Sequence, residues 1–426
     1  MLDSLTKSTY ETILISELRP AMGCTEPIAI AYASSILGEV LSKAPEKIDA
    51  RFTGNIIKNV KSVVVPATGG RHGIEAAIAA GIVSARPDKR LEVLTALTSD
   101  DEAKIDSLLS ACPINIDKLN SSCSFELELT GYYGNDVARV RISGAHTNVT
   151  EVSLNGEDRS EKYTEITIVE ESGDAPDYSL LNVEDIIKFA DETDLELLRP
   201  YLKRQIDMNL NIAEEGLKGN WGAEIGKVML SMGDDISRKA RAYAAAGSDA
   251  RMSGCEMPVC IISGSGNQGI TASVPVAIYA YETGKSENDL LRALIVSDLI
   301  TIHQKTGIGT LSAYCGAISA GVGAGAGICY LQGGKFREIA HTLVNSVAIL
   351  SGTICDGAKP SCAAKIAMAV EAGIIGYEMW KCGSQFHGGD GIIEKGVENT
   401  IKNVGRLAKE GMSETDREII EIMLGI

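Results

Sequence analysis

The hydrophobic positions of the chain follow two different periods. Apolar residues from about Leu5 to Leu41 recur at helical spacing, with breaks at Arg19-Pro20 and Gly23–Pro27, which predicts two helices joined by a loop. Between about Ile48 and Ile168 the apolar positions alternate, and β-branched runs end at Gly-Asn and Asn-Gly turns, as is typical of strands. From Val183 onward the period returns to about 3.6 residues, with Gly-rich joints between the predicted helices and no further strands.

The strand-rich region also contains two helical patterns, at His72–Ala85 and Asp100–Ala111. Interleaved helices and strands of this length favour a two-layer module. We therefore predict an α+β fold in which a mostly α-helical catalytic domain carries an inserted, smaller α/β two-layer module. The expected hinge out of that module is the polar segment near Glu170–Pro176.

These patterns predict three regions along the chain. Residues 1–46 form N-terminal helices that pack on the catalytic domain. Residues 47–172 form the β-rich α+β module. Residues 173–426 form the α-helical catalytic domain.

Composition and charge narrow the function classes. With 426 residues, 45% hydrophobic and 23% charged, the sequence is that of a folded globular protein. A net charge of −17 repels a nucleic-acid backbone, so we expect no nucleic-acid partner. The start of the chain lacks a basic segment followed by an apolar run, which predicts a cytoplasmic protein without an export signal. Ten cysteines in a reducing compartment favour metal binding or catalysis over structural disulfides.

One uncharged stretch, between Lys305 and Lys335, is long enough to cross a bilayer. It is dominated by Gly and Ala, which contribute too little transfer free energy for insertion without larger apolar residues. We therefore expect a buried, tightly packed helix pair and no membrane partner.

The segment GSGNQG at 264–269 matches G-x-G-x-x-G, but a weak strand precedes it and no βαβ unit follows, which argues against dinucleotide binding. Two interpretations stay open for this segment. Its backbone N–H groups, with the amides of Asn267 and Gln268, could bind a carboxylate, or the segment could be a tight turn between helices.

Four cysteines lie in unusual surroundings. Cys355 and Cys362 flank a loop forced by Gly and Pro, and Cys315 borders the glycine-rich helical stretch. Three thiols suit an iron–sulfur cluster better than zinc, which usually takes a fourth Cys or His, although packed core thiols are the alternative. Cys24 precedes a helix that begins near Pro27, where the helix dipole favours thiolate and a role as base or nucleophile; its alternative is a packing role.

The remaining cysteines and the histidines carry weaker signals. Cys255 and Cys260 form a C-x4-C pair that could bind metal, whereas the others are expected to be small buried apolar groups. His303 and His387 flank glycine-rich turns and could line a pocket, but structural or surface roles are the favoured interpretation.

Five separated blocks together carry a family resemblance. They are GCTEP at 23–27, TGNIIKNVKSVVVP at 53–66, GSGNQGI at 264–270, YCGAISAGVGAGAGI at 314–328 and ICDGAKPSCAAK at 354–365. This set resembles the L-cysteine desulfidase family, which is related to the iron–sulfur L-serine dehydratases through their α-chain. The resemblance implies a pyridoxal-free lyase that converts L-cysteine to sulfide, ammonia and pyruvate with a [4Fe–4S] cluster. It further implies that Cys315, Cys355 and Cys362 are the cluster ligands and that Cys24 is the proton acceptor.

We further expect Asn267, Gln268 and Lys359 to hold the carboxylate and amine of a small amino-acid substrate, and we expect a homodimer. Two alternatives stay open. The first is L-serine or L-threonine deamination with the same cluster. The second is a non-catalytic protein that binds a metal or another ligand.

Overall fold

The computed structural model describes residues 2–23, 25–121, 123, 125–163, 176–309 and 312–425. The α-helices in these ranges are α1 (Ser4–Glu17), α2 (Thr25–Leu41), α3 (Gly54–Val60), α4 (Gly73–Ser84), α5 (Glu102–Ala111), α6 (Val183–Glu192), α7 (Leu195–Lys218), α8 (Ile225–Ser231), α9 (Ile236–Met252), α10 (Gly266–Glu282), α11 (Glu287–Ile308), α12 (Gly316–Leu331), α13 (Phe336–Leu350), α14 (Cys362–Lys381), α15 (Val397–Arg406) and α16 (Ser413–Leu424). The strands are β1 (Arg19–Met22), β2 (Lys47–Phe52), β3 (Ile114–Lys118), β4 (Glu126–Tyr133), β5 (Asp136–Ser143), β6 (Val149–Leu154), β7 (Glu157–Asp158) and β8 (Pro258–Ile261).

Six strands form a mixed sheet in the order β3-β2-β4-β5-β6-β7. The β2 and β3 strands pair in parallel, and the other neighbours are antiparallel. One face packs on helix α2, which in turn packs on α4, around a core that includes Leu37, Phe52 and Leu129. The opposite face carries ion pairs such as that between Arg139 and Glu128. This division follows from the alternation of apolar and polar residues along each strand.

Helix α1 and most of the helices after α5 form a second hydrophobic core, with large contributions from α10, α11 and α12. The glycine-rich α12 packs against α10, α11, α13 and α14, because its small side chains let the neighbouring backbones approach. The expected buried packing of this stretch is thus observed. Among the described residues, none of the helices is long and apolar enough to cross a membrane. The α+β fold class is confirmed, since a mostly helical molecule carries a small six-stranded module.

Two local expectations were wrong. A strand does occur after Val183, because β8 pairs with β1 in an antiparallel ribbon. Four residues are too few to display a period of two, so this ribbon leaves no clear pattern in the sequence. The β-branched run KSVVVPA at 61–67 lies in the region predicted to be strand-rich. It forms a turn with one isolated bridge, between Val64 and His72. Its residues Val63 and Val65 are buried without joining the sheet.

The two N-terminal helices pack on different partners. Helix α1 contacts α7 and α11, as expected for the helical region, whereas α2 contacts the sheet and α4. Helix α2 is apolar on nearly all sides, so burial against the sheet and α4 stabilises it more than packing along one face would. All but Pro176 of the expected hinge lies outside the described residues. The three region boundaries therefore stay a prediction.

Candidate functional site

A cavity of about 310 Å³ lies where the sheet module and the helical region meet. The module and its neighbouring loops contribute Thr25, Glu26, Lys58, Asn59, Phe125, Gly144, Ala145 and His146. The helical region contributes Arg251, Ser263, Gly264, Ser265, Asn267, Gln268, Lys305, Ser312, Tyr314, Cys315, Gly316, Ala317, Cys355, Gly357, Ala358, Cys362, Lys365 and Ile366. Small, enclosed spaces lined by several polar groups are the usual form of a small-molecule site.

Two of the three candidate cluster ligands are held together by backbone pairing. Tyr314 and Ile354 form an isolated antiparallel bridge. Next to it, the N–H of Cys315 donates to Thr353 O at 3.0 Å, and the N–H of Cys355 donates to Ala313 O at 2.6 Å. Both thiols therefore reach the same cavity although 40 residues separate them in the chain.

The third thiol enters the cavity at the start of α14. Cys362 is the first residue of that helix, and its thiol lies 3.6 Å from the carbonyl oxygen of Gly357. Gly357 has φ +94°, and a Cβ at this position would lie 2.2 Å from the backbone oxygen of Lys58. The loop between the two cysteines can therefore lie this close to the sheet module only with glycine at that position.

The three thiols influence one another electrostatically. Burial is the main cause that raises the pKa of Cys315 to about 12, and the neighbouring Cys355 contributes to the same shift. Burial likewise raises the pKa of Cys362. Bound iron would reverse this tendency, because a coordinating thiol is deprotonated.

The donor set fits a cluster better than a single ion. Among the described residues, no three Cys, His, Asp or Glu side chains lie close enough together to bind one metal ion. A cubane spreads its thiolate ligands over separate irons, and so it accepts a wider spacing. The three thiols line one enclosed cavity, and Cys355 and Cys362 pack against the helical core and the module core respectively.

The first turns of four helices face the cavity, namely those of α2, α10, α12 and α14. Each helix N-terminus presents unpaired N–H groups and a partial positive charge. The arrangement favours bound anions such as thiolates or a substrate carboxylate.

Five charged side chains line this cavity, and two of them have partners. Lys58 pairs with Asp416, and Lys365 pairs with Asp356. Lys305 forms no ion pair with the described residues, and burial lowers its pKa to about 8 against the opposing influence of Cys355 and Cys315. Arg251 and Glu26 likewise have no oppositely charged partner among the described residues.

The sequence-predicted residues have different positions. Asn267 and Gln268 line the cavity, whereas Lys359 does not, and its ammonium pairs with Asp356. Cys24 lies outside the described residues. Its two neighbours in the chain are described: Gly23 O accepts a hydrogen bond from Arg251, and Thr25 lines the cavity.

The weaker candidates lie outside the cavity lining. Cys255 and Cys260 are buried in the helical core. His303 contacts Glu398 at 2.7 Å, and His387 is exposed.

Sequence reasoning missed several residues of this cavity. His146 is half-buried beside Phe125, with a ring-centroid distance of 4.4 Å, and its buried Nε2 has no hydrogen-bond partner in the described structure. Burial lowers the pKa of His146, so its ring is neutral near pH 7. Arg251, Lys305 and His146 belong to no motif. Glu26 lies within the GCTEP block, which was the available signal for it.

Comparisons with known proteins agree with one another. The family described as "Serine dehydratase alpha chain" matches residues 88–421. A UPF0597 protein of Desulfitobacterium hafniense is 52% identical over 424 residues, covering 98% of this chain and 96% of the relative. UPF0597 proteins of Lachnoclostridium phytofermentans and Treponema denticola are 46% and 42% identical, and each alignment covers at least 97% of both chains. The relationship to serine dehydratase alpha chains, expected from the five sequence blocks, is confirmed.

Proposed function

Because the chain belongs to the serine dehydratase alpha-chain family, we propose that it is a lyase acting on small β-substituted L-amino acids, with L-cysteine as its substrate. Its products would be sulfide, ammonia and pyruvate. Cys315, Cys355 and Cys362 would hold a [4Fe–4S] cluster. The observation that carries the proposal is the convergence of these three thiols in one small, enclosed cavity.

The proposed cluster would have three protein ligands and one open iron. When bound, it supplies a Lewis acid that stabilises the negative charge developing on the leaving group. The α12 and α14 N-termini, at Cys315 and Cys362, favour the thiolate forms needed to hold it.

The remaining steps fall to this chain's own residues. Cys24, as thiolate, would accept the α-proton of the substrate. The electron pair of the broken Cα–H bond forms the Cα–Cβ double bond. The Cβ–S bond breaks at the same time, and its electron pair leaves with the sulfur. The resulting aminoacrylate tautomerises to an imine, which water hydrolyses to pyruvate and ammonia. The sum is L-cysteine plus water giving pyruvate, ammonia and hydrogen sulfide.

Substrate binding in this proposal involves Asn267 and Gln268, both at the start of α10. The binding role expected for Lys359 has no support from the cavity lining, which does not include this residue. We place the activity in the cytoplasm, where thiols stay reduced, and a homodimer stays a prediction.

The family relationship favours one second candidate, deamination of L-serine or L-threonine. The two reactions differ in the leaving group alone, hydroxide in place of thiolate. Comparing sulfide release from L-cysteine with pyruvate release from L-serine at equal concentration separates them.

The test is anaerobic reconstitution of the full chain with iron and sulfide, followed by visible absorbance, iron content and both assays. We expect about four irons per chain for a [4Fe–4S] cluster. Cys355→Ala should lose the absorbance and the activity. Cys24→Ala should keep the absorbance and lose turnover, and Cys382→Ala, at an exposed cysteine outside the cavity, is the matched control.

Two outcomes contradict the proposal. A chain that binds zinc and no iron would favour the non-catalytic alternative. Absorbance lost in Cys24→Ala but retained in Cys355→Ala would reverse the assignment of ligand and base.

A further inference from the structure

Arg251 is a buried cation whose contacts in the described structure are all neutral. The residue is 4% exposed, its Nη2 donates to Gly23 O at 2.8 Å, and its Nη1 donates to Asn267 Oδ1 at 3.2 Å. Its Nε has no hydrogen-bond partner. An isolated buried charge is costly unless an opposite charge accompanies it. Since Arg251 lines the cavity, an anionic ligand there would supply that charge.

The guanidinium also lies against the N-terminus of α10. A Cβ on Gly266, the first residue of that helix, would lie 2.4 Å from Arg251 Nε. The positive end of the α10 dipole and the guanidinium therefore act at the same place. A planar guanidinium beside free N–H groups matches the geometry of a carboxylate.

Glu26 is the complementary group. It is 9% exposed and accepts from Asn59 Nδ2 at 2.9 Å and from Thr25 Oγ1 at 3.2 Å, which are both neutral donors. His146, whose pKa Glu26 influences, is neutral near pH 7 because burial lowers that pKa. Gln268 Oε1 is another buried acceptor in the cavity, and it has no hydrogen-bond partner among the described residues. A bound cation with several N–H donors would supply a charge partner to Glu26 and a donor to Gln268 Oε1.

The order of these groups along the chain is consistent with one ligand. Arg251 binds the carbonyl of Gly23, and Glu26, three residues later, lies in the first turn of α2. In an α-amino acid, the carboxylate and the ammonium group flank the α-carbon. Cys24, the proposed base, lies in the sequence between the two anchoring positions.

We propose that Arg251 and Glu26 form a zwitterion site, in which the guanidinium binds the α-carboxylate and the Glu26 carboxylate binds the α-ammonium group of a small amino acid. This site would bind the substrate of the proposed function, and its part in the reaction rests on that function. The choice of an amino acid as ligand rests on the charges of Arg251 and Glu26, which have no oppositely charged partner among the described residues. Lys305 is not part of this site. Its pKa is influenced by Cys355 and Cys315, so it lies at the thiol end of the cavity.

The test uses three probes that lack a β-leaving group and therefore are not consumed. L-alanine carries both charges, propionate lacks the ammonium group, and ethylamine lacks the carboxylate. Their binding to the full-length reconstituted protein is measured by ligand-observed NMR titration. Arg251→Met should weaken L-alanine and propionate about 10- to 100-fold and leave ethylamine unchanged. Glu26→Gln should weaken L-alanine and ethylamine by a similar factor and leave propionate unchanged.

Matched controls lie outside the cavity. Arg204→Met removes another guanidinium that donates to a backbone carbonyl, that of Leu18, at 2.8 Å. Glu371→Gln removes a carboxylate that pairs with Arg241. Both should bind all three probes like the unaltered chain. Arg251→Lys keeps the charge but loses the planar fork, so it should show an intermediate loss if Arg251→Met fails to fold.

The possible outcomes separate this site from the proposed reaction. Unchanged propionate binding in Arg251→Met, or equal weakening of all three probes in both variants, overturns the zwitterion site. Selective weakening as expected, in a protein that releases neither sulfide nor pyruvate, supports the site and rejects the lyase reaction. Normal turnover of L-cysteine by Arg251→Met rejects the site and leaves the lyase reaction standing.

Discussion

Asp298 is a fully buried carboxyl on α11, away from the cavity, with a neutral side chain as its partner. Gln205 Nε2 donates to its Oδ1 at 3.0 Å, while Asp298 Oδ2 and Gln205 Oε1 have no other partner in the described structure. Burial raises the pKa of Asp298 to about 7. A protonated carboxyl is uncharged and has an O–H donor of its own, so burial beside a neutral partner disfavours only the ionised form.

This carboxyl predicts a pH-dependent stability. In the unfolded chain the pKa of this carboxyl is that of a free Asp, about 3.9. Between about pH 4 and pH 7 the folded chain retains the proton that the unfolded chain has released. The free energy of unfolding therefore falls as pH rises through this window, and the loss is complete above it.

Asp298→Asn keeps a neutral hydrogen-bonding group at this position. The variant should match the unaltered chain near pH 4 and exceed it by a few kcal/mol at pH 8, since one pKa unit corresponds to about 1.4 kcal/mol. Thermal unfolding at intervals from pH 4 to pH 8 measures the difference. A difference that does not change with pH would contradict the assignment.

At the residue scale, the sequence identifies those cavity residues that lie within a recognisable motif. The cysteines at 315, 355 and 362 lie in specific blocks, and the structure places all three on one cavity. Arg251 and Lys305 lie inside ordinary helical patterns, where a surface charge and a buried one look alike. Lys359 lies near Cys355 and Cys362 in the sequence, but nothing in the sequence pattern indicates its ion pair with Asp356.

At the scale of elements, the contact between α12 and α14 brings two cysteine-bearing helix starts together. A Cβ on Gly325 of α12 would lie 2.6 Å from the Cα of Gly373 on α14. Contacts this short do not occur between real side chains and backbone. The helices can pack at this separation because both positions are glycine.

Gly325→Ala should therefore force α12 and α14 apart. We expect a loss of about 1–3 kcal/mol in stability, typical of overpacking, and a lower iron content after reconstitution because Cys315 and Cys362 begin these helices. Thermal unfolding and iron per chain are the measurements.

Gly38→Ala on α2 is the matched control, since a Cβ there meets its nearest atom at an ordinary 3.6 Å. It should be neutral or stabilising by up to about 1 kcal/mol, because Ala favours helix over Gly. Full iron binding by Gly325→Ala would show that this contact does not position the thiols.

The sequence predicts an element well where the apolar–polar pattern extends over many residues and leaves one face polar. The β4 and β5 strands and the α5 helix have such patterns and occur close to their predicted positions, as does the mostly apolar α4. The β1–β8 ribbon has only four residues in each strand and was missed. Helix α2 was expected on the helical region, because an apolar pattern shows that a helix is buried but not against which partner.

At the scale of the whole molecule, the cavity exists because two separate cores meet. Each core has its own hydrophobic residues, which sequence periodicity can indicate, but the interface combines single residues from distant elements. The end of the chain strengthens this junction. Helix α16 returns to the module, where Asp416 pairs with Lys58, Lys61 Nζ donates to Met423 O, and Ile420 packs against Gly54.

The pair between Lys58 and Asp416 predicts how strongly the two parts depend on each other. The Lys58 side chain is 1% exposed, and the Asp416 side chain is 18% exposed. Removing one member of a buried pair leaves the other charge without compensation, which costs about 3 kcal/mol, whereas replacing both charges is often nearly neutral. Asp416→Asn should therefore lower the thermal unfolding midpoint and speed proteolytic cleavage near α16. The double variant with Lys58→Met should recover most of that stability. If the double variant is as unstable as Asp416→Asn, the loss comes from the packing of α16 and not from the stranded ammonium of Lys58.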